Sequence, residues 1–249
     1  MPLCERRARP PCVHLTEVGS RGRLASVDEE QRLSPELLPA SVVIEEDEPR
    51  AVDGTLRPEE EPVVARAVAK RRQDFSSGRT LARRALARAG FVGAADFAIL
   101  QDEHRAPIWP PGFTGSVTHT KGRVAAAATR IRDFRGLGLD VERDAPLADG
   151  VARRILTAED DAMLAELPEH ERAFAGKLVF SAKECAYKCQ YSLTKTYLGF
   201  DAMWIELHLA RGAFVAHFRR EVGEFAEGAQ LLGRFARGDG LVMTAVSYR

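Results

Sequence analysis

Net charge is the first thing the chain lacks. Its 249 residues carry 36 Lys+Arg against 36 Asp+Glu, a formal balance of +0 at pH 7. Nucleic-acid binders usually show a basic excess, and 7% aromatics leaves few rings for base stacking, so no nucleic-acid partner is expected. Long apolar runs are missing too. No stretch approaches the ~20 residues that span a bilayer, and the start, MPLCERRARPPCVHL, has no apolar signal-peptide core. A cytoplasmic protein with no membrane partner is expected. Cysteine is scarce. Cys4 and Cys12 fall in the leader, Cys185 and Cys189 stand one helical turn apart, and no CxxC pair occurs. That argues against a zinc or disulfide framework and for small buried thiols.

What is present suits a soluble globular protein: 45% apolar and 29% charged residues. The length allows one large domain or two halves. Residues 1–35 mix Arg, Pro, Glu and Ser with few large apolar residues and read as a poorly ordered extension. SVVIEED (41–47) reads as a strand. Residues 57–90 read as one or two helices: Pro58 and the following Glu residues suit the start, Gly90 the stop, and Ser76-Ser77-Gly78 a bend. ADFAIL (95–100) reads as a short strand and 104–115, with its prolines and glycines, as a loop. Residues 116–130 read as two strands about Lys121-Gly122, and 135–142 as another. A helical region follows over 147–190, broken near Pro168. Strands at 204–210 and 213–220 join at Arg211-Gly212, and 231–249 forms a hairpin around Gly238-Asp239-Gly240. The order is strand, helix, strands, and then the same again. GSVTHTKGRVAAAATR, ending the first run, faintly resembles LLGRFARGDGLVMTAVSYR, ending the second. An α+β fold of two similar halves, 36–133 and 134–249, is predicted.

RGLGLDVERD (135–144) holds the main puzzle. Strand residues i and i+2 share a side, so Leu137, Leu139 and Val141 form an apolar face, and Gly138, Asp140 and Glu142 form the other. Two like charges this close repel, and burying each uncompensated costs several kcal/mol. Both are solvated, or one is protonated, or a cation sits between them. A strand end reaching water, with Arg143 as a surface partner, is the plainest account. A third ligand would change it. AFAGKLVFSAKECAYKCQ (173–190) offers one, because Lys177, Ser181, Glu184 and Lys188 recur on one helical face beside an apolar stripe. Glu184 and Lys188 could also be an ordinary surface pair. Ser181-x-x-Glu184 matches a capping box, but the apolar stripe runs through Ser181, so the helix does not begin there. If Glu184 joins Asp140 and Glu142, the all-oxygen site favours Mg²⁺ and phosphate chemistry.

Together these residues carry a resemblance. GLGLDVE followed by FSAKECAYK resembles the Sfp/EntD-type 4′-phosphopantetheinyl transferases, whose pattern is (V/I)-G-(V/I)-D-x-E on a strand and (F/W)-x-x-K-E-x-x-x-K on a helix. AKRRQDFSSGRTLARRAL, PIWPPGFTGSVTHTKG and SLTKTYLGF are similar to actinobacterial members that serve siderophore and lipid synthases. The likeness runs from about residue 40 to the C-terminus. It implies two pseudo-symmetric halves with the site between them, the first binding coenzyme A and the second bearing the metal site and catalytic helix. It also implies a monomer that transfers phosphopantetheine from coenzyme A to a serine of an apo acyl or peptidyl carrier protein.

By that resemblance Asp140, Glu142 and Glu184 are the Mg²⁺ carboxylates, with Asp140 also on the donor side. Glu184 takes the serine proton, directly or through a water. Lys188 stabilises or protonates the departing 3′,5′-ADP, with Lys183 nearby. Arg71 and Arg79 align with positions that contact coenzyme A phosphates, although in an unbroken helix Arg72 shares a face with Arg79 better, so Arg72 stays a candidate. Thr118 and His119 align with an S/T-H pair at the donor. Residues 101–104, QDEH, align with a donor loop that is often basic. Asp102 and Glu103 are acidic here, leaving backbone groups or His104. SLTKTYLGF, with Lys195, either helps receive the carrier or packs Leu198 and Phe200 into the core. A Mg²⁺ nuclease or other phosphotransferase, and a catalytically dead carrier-binding module, are the alternatives.

Overall fold

The computed structural model describes residues 32–50, 55–148 and 150–249. Strand β1 (Val43–Asp47) is followed by helices α1 (Glu61–Val64) and α2 (Ala69–Arg88), then by hairpin β2 (Phe113–Thr120) and β3 (Arg123–Arg130). Next come β4 (Gly136–Arg143) and helices α3 (Ala152–Ile155), α4 (Ala158–Glu166) and α5 (Glu169–Thr194). Strands β5 (Met203–His208), β6 (Ala213–Phe218), β7 (Gln230–Gly238) and β8 (Leu241–Tyr248) close the chain.

Among the described residues the strands form two antiparallel sheets, ordered β1-β3-β2 and β4-β8-β7-β6-β5. The repeat is topological. In each sheet the opening strand lies beside the closing one, and a long helix separates them in sequence. The two hairpins whose sequences look alike are β2–β3 and β7–β8, while β5–β6 has no counterpart in the first sheet. Both hairpins turn on left-handed residues, Gly122 (φ 87°) in one and Asp239 and Gly240 (φ 52° and 68°) in the other. The fold is α+β, as the order of elements predicts.

Two expectations change. ADFAIL is not a strand: Ile99 is buried, and its N–H donates to Glu60 Oε1 at 2.8 Å instead of entering a ladder. Ser76-Ser77-Gly78 does not interrupt α2, which runs unbroken through them, and these small residues are packing surface. A Cβ at Gly78 would lie 3.0 Å from Val117, and the Ser77 hydroxyl bonds both the N–H and the carbonyl of Arg50. Cys4, Cys12 and the extension through residue 31 lie outside the described residues. At its end, however, Leu33 is buried, and the Leu33 and Ser34 N–H groups donate to Glu46.

Three apolar layers hold the site in place. Val124, Ala126 and Ala128 of β3 pack on Leu81, Ala82, Ala85 and Leu86 of α2. Ala125 and Ala127, on the other face of β3, pack on Leu137, Leu139 and Val141 of β4. Full burial of each of those β4 side chains is worth about 1.5–3 kcal/mol, which fixes which way the strand faces. The third layer joins Val179, Ala182, Cys185, Ala186 and Cys189 of α5 to the five-stranded sheet and includes Leu198. Cys185 and Cys189 are free, buried thiols. Gly138 lets α5 lie against β4 in this layer, since the Cys185 carbonyl occupies the space a Cβ would take.

Candidate active site

The second face of β4 meets the predicted face of α5. Lys188 Nζ donates to Asp140 Oδ1 at 2.7 Å and to the Leu139 carbonyl at 3.0 Å. The Ser181 hydroxyl donates to Asp140 Oδ2 at 2.9 Å, and Lys177 stands 3.5 Å from Glu142. The cations that the strand lacks are thus supplied by the helix. Lys177 and Lys188 are eleven residues, about three turns, apart on one helical face. Arg143 is not the partner of either acid.

Glu184 sits between these lysines in sequence. Among the described residues its carboxylate takes no hydrogen bond or ion pair. Burial pushes its pKa up, Lys188 opposes the rise, and Asp140 adds to it. Burial, then Asp140, also raise Glu142, against Lys177 and Lys188. Burial alone would lower the Lys188 ammonium, but Asp140 and Glu184 outweigh it and hold its pKa above the usual lysine value. Lys188 is therefore a fixed positive charge and a poor proton donor at neutral pH.

A cationic nest adjoins this group. Arg71 on α2 reaches His119 Nε2 on β2 at 3.2 Å, and Asp74 stands 3.7 Å from His119 Nδ1. Burial lowers the His119 pKa; Asp74 opposes that, and Arg71, Lys188 and Lys70 add to it. Arg79 is only 3% exposed and lies over the Phe75 ring at 4.4 Å. Among the described residues its Nε and Nη2 are buried without a hydrogen-bond partner. Burial pulls its pKa down to about 10; Glu60 opposes, and Arg83 and Arg71 lower it further. Arg79 stays charged at neutral pH, and orphaned buried guanidinium nitrogens are costly. The site thus has an unmet demand for an anion.

A cavity of about 700 Å³ opens beside Lys188, between the 102–109 loop, β2 and the C-terminal turns of α5. A tie between the C-terminal end of α5 and the 102–109 loop lies along it. The Tyr191 hydroxyl donates to Asp102 at 3.0 Å, and Lys195 stands 3.8 Å from the same carboxylate. Burial, then this bond, push the Tyr191 phenol up to about 12. His104 packs on Tyr191 and Tyr197, with ring centroids 5.6 Å and 6.0 Å away. Asp102, the acid noted in this loop, is the loop's anchor: it also accepts the backbone N–H groups of His104 and Ala106.

Two family models match the chain in tandem. One, described as the 4′-phosphopantetheinyl transferase N-terminal domain, covers residues 59–129; the other, the 4′-phosphopantetheinyl transferase superfamily, covers residues 136–244. The chain is 37% identical over 218 residues to 4′-phosphopantetheinyl transferase Svp of Streptomyces mobaraensis, covering 85% of this chain and 87% of that one. The chain belongs to the 4′-phosphopantetheinyl transferase superfamily. Two further relatives are the 4′-phosphopantetheinyl transferases Npt of Nocardia iowensis (34% over 222 residues, 85% and 98% of the two chains) and PptT of Mycobacterium tuberculosis (35% over 196 residues, 76% and 84%). The protein is a transferase of the Sfp/EntD type.

The fold of this transferase does not bring every expected residue to the site. Arg71 joins the nest, but Arg72 turns to α1, where it bonds Glu61 at 2.6 Å. Lys183, next to Glu184 in sequence, leaves the helix on another face. It is 1% exposed, pairs with buried Asp160 at 2.5 Å and donates to the carbonyls of Ile155 and Phe200. Thr118 points to Asp140 and not to the nest. Ser181, Lys177 and Asp74 join the site without being marked as candidates. The first two carried a readable signal, the 4-3-4 spacing they share with Glu184 and Lys188; Asp74 carried none.

By donor chemistry alone the three acids suit Mg²⁺: the set is oxygen-only, and among the described residues Glu184 has no hydrogen-bond or ion-pair partner. Among the described residues, no three His, Cys, Asp or Glu side chains are gathered closely enough to hold a metal. Lys188 and Lys177 balance Asp140 and Glu142.

Proposed function

We propose that this transferase uses Mg²⁺ to move 4′-phosphopantetheine from coenzyme A to the serine of an apo acyl or peptidyl carrier protein. The observation that carries the donor side is Arg79, a buried guanidinium with two unpartnered nitrogens, in electrostatic reach of Arg71 and through it of His119. Phosphates are the anions that such a fork satisfies. Asp140, Glu142 and Glu184 would hold Mg²⁺, which, when bound, neutralises pyrophosphate charge. Arg79, Arg71 and His119 orient the nucleotide. Glu184, free of donors among the described residues, accepts the serine proton. Lys188 offsets the negative charge that builds on the departing 3′,5′-ADP, and its raised pKa supports charge stabilisation over proton donation. The cavity beside Lys188 and exposed Lys195 support the approach of an acidic carrier.

The test is mass spectrometry of apo carrier domains from peptide, polyketide and fatty-acid synthases, incubated with the protein and coenzyme A. A mass gain matching phosphopantetheine, present with Mg²⁺ and lost with EDTA, is expected on at least one. No gain on any carrier sinks the reading. Arg79→Met probes the donor end separately. Losing charge-assisted bonds to phosphate costs roughly 1.5–3 kcal/mol, about a tenfold to hundredfold rise in the coenzyme A dissociation constant by calorimetry. Because the variant also removes an uncompensated buried charge, its melting temperature should be unchanged or higher.

A further inference from the structure

Strands β2 and β4 are the adjoining edges of the two sheets, and no backbone ladder joins them. Side-chain hydroxyls stand in. Ser116 Oγ accepts the Leu139 N–H at 3.0 Å, and Thr118 Oγ1 accepts the Val141 N–H at 3.1 Å. Both residues are 4% exposed. The bonds advance by two residues on each strand, so the two edges run in the same direction, in register. With an N–H filling its acceptor side, the Thr118 hydroxyl has one proton to place, and it donates that proton to Asp140 Oδ1 at 3.2 Å.

Asp140 Oδ2 is fixed in the same way from the other side. Ser181 donates to it at 2.9 Å, while Thr244 Oγ1 lies 2.9 Å from Ser181 Oγ and donates to the Ser181 carbonyl at 3.0 Å. Ser181 and Thr244 are fully buried. A carboxylate offers about four acceptor directions. Thr118 and Lys188 take two on Oδ1, and Ser181 takes one on Oδ2, so one direction on Oδ2 remains.

We infer that Thr118 and Ser181 are positioning residues. They hold the Asp140 carboxylate in one orientation, Thr118 from the first sheet's edge and Ser181 from the catalytic helix, so that its one remaining acceptor direction serves a cation. This rests on the proposed role of Asp140 as a Mg²⁺ ligand. It assigns Thr118 to the metal end of the site and not to coenzyme A. Partners that orient metal ligands typically change affinity or activity by about tenfold to a hundredfold when removed.

Thr118→Val keeps the shape and removes both bonds; Thr118→Ser keeps them; Ser181→Ala removes the opposite donor. Three quantities are read on the full chain: Mn²⁺ affinity with coenzyme A present, from the free-ion electron paramagnetic resonance signal; kcat and KM for coenzyme A; and the melting temperature. Thr118→Val and Ser181→Ala should each weaken Mn²⁺ binding and lower kcat by about tenfold or more with KM little changed, and Thr118→Ser should restore most of both. If Thr118→Val does not fold, Ser181→Ala and Thr118→Ser decide by the same readouts. A lower melting temperature with unchanged Mn²⁺ affinity and kcat overturns the inference, because the seam would then be structural only. A raised KM with unchanged Mn²⁺ affinity overturns it in favour of donor contact. A wild-type protein that transfers but binds no Mn²⁺ removes this inference alone. One that does not transfer at all removes the proposed function as well.

Discussion

Glu184→Gln is expected to leave a folded protein that transfers phosphopantetheine roughly 10²–10⁴-fold more slowly than wild type, the usual span for a lost general base. Glu184 is half-buried and takes no hydrogen bond or ion pair among the described residues. Burial and Asp140 raise its pKa against the pull of Lys188, so it is a stronger base than a surface carboxylate. Gln preserves shape and removes basicity. Stability should not suffer. A carboxyl whose folded pKa exceeds its unfolded one weakens the native state when ionised, fully above the folded pKa and not at all below the unfolded one. The neutral variant should therefore melt at or above the wild-type temperature at pH 7, with the difference vanishing in acid. Wild-type turnover by Glu184→Gln would remove the base from the mechanism.

Lys183→Met should do the opposite and lower stability with little effect on chemistry. Lys183 and Asp160 have side-chain exposures of 1% and 0%. Asp160 also accepts the N–H groups of Thr157 and Ile205, tying the start of α4 to β5. Removing the ammonium strands a buried carboxylate, which costs about 3–5 kcal/mol. Urea denaturation at pH 7 measures the loss, and turnover normalised to folded protein should stay near wild type. A variant of unchanged stability whose kcat collapses would return Lys183 to the reacting groups.

Much of this was legible in periodicity. The face shared by Lys177, Ser181, Glu184 and Lys188, and the split of β4 into apolar and acidic sides, follow from 3.6- and 2-residue repeats. The two hairpins follow from their Gly turns. What periodicity cannot show is which of two adjacent faces meets which neighbour. Lys183 and Glu184 are consecutive, yet the helix sends them to different environments. Arg71 and Arg72 differ in the same way: ideal helical angles favour Arg72 beside Arg79, but Glu61, in the preceding short helix, captures it. Thr118 was unreadable for another reason, because its partners, Val141 and Asp140, belong to the other sheet. ADFAIL has a strand-like composition, but a buried carboxylate at Glu60 takes its ladder donor.

The close approach at Gly138 sets a tolerance for the whole reaction. A methyl there would stand 1.9 Å from the Cys185 carbonyl oxygen, so helix α5 would have to retreat. Lys188 and Ser181 ride on that helix, and a displacement of about 1 Å in a reacting group can cost a hundredfold in rate. The spacing between acid strand and basic helix is therefore gauged by a hydrogen atom. Residue 138, which carries no functional group, limits the chemistry as strictly as the residues that perform it.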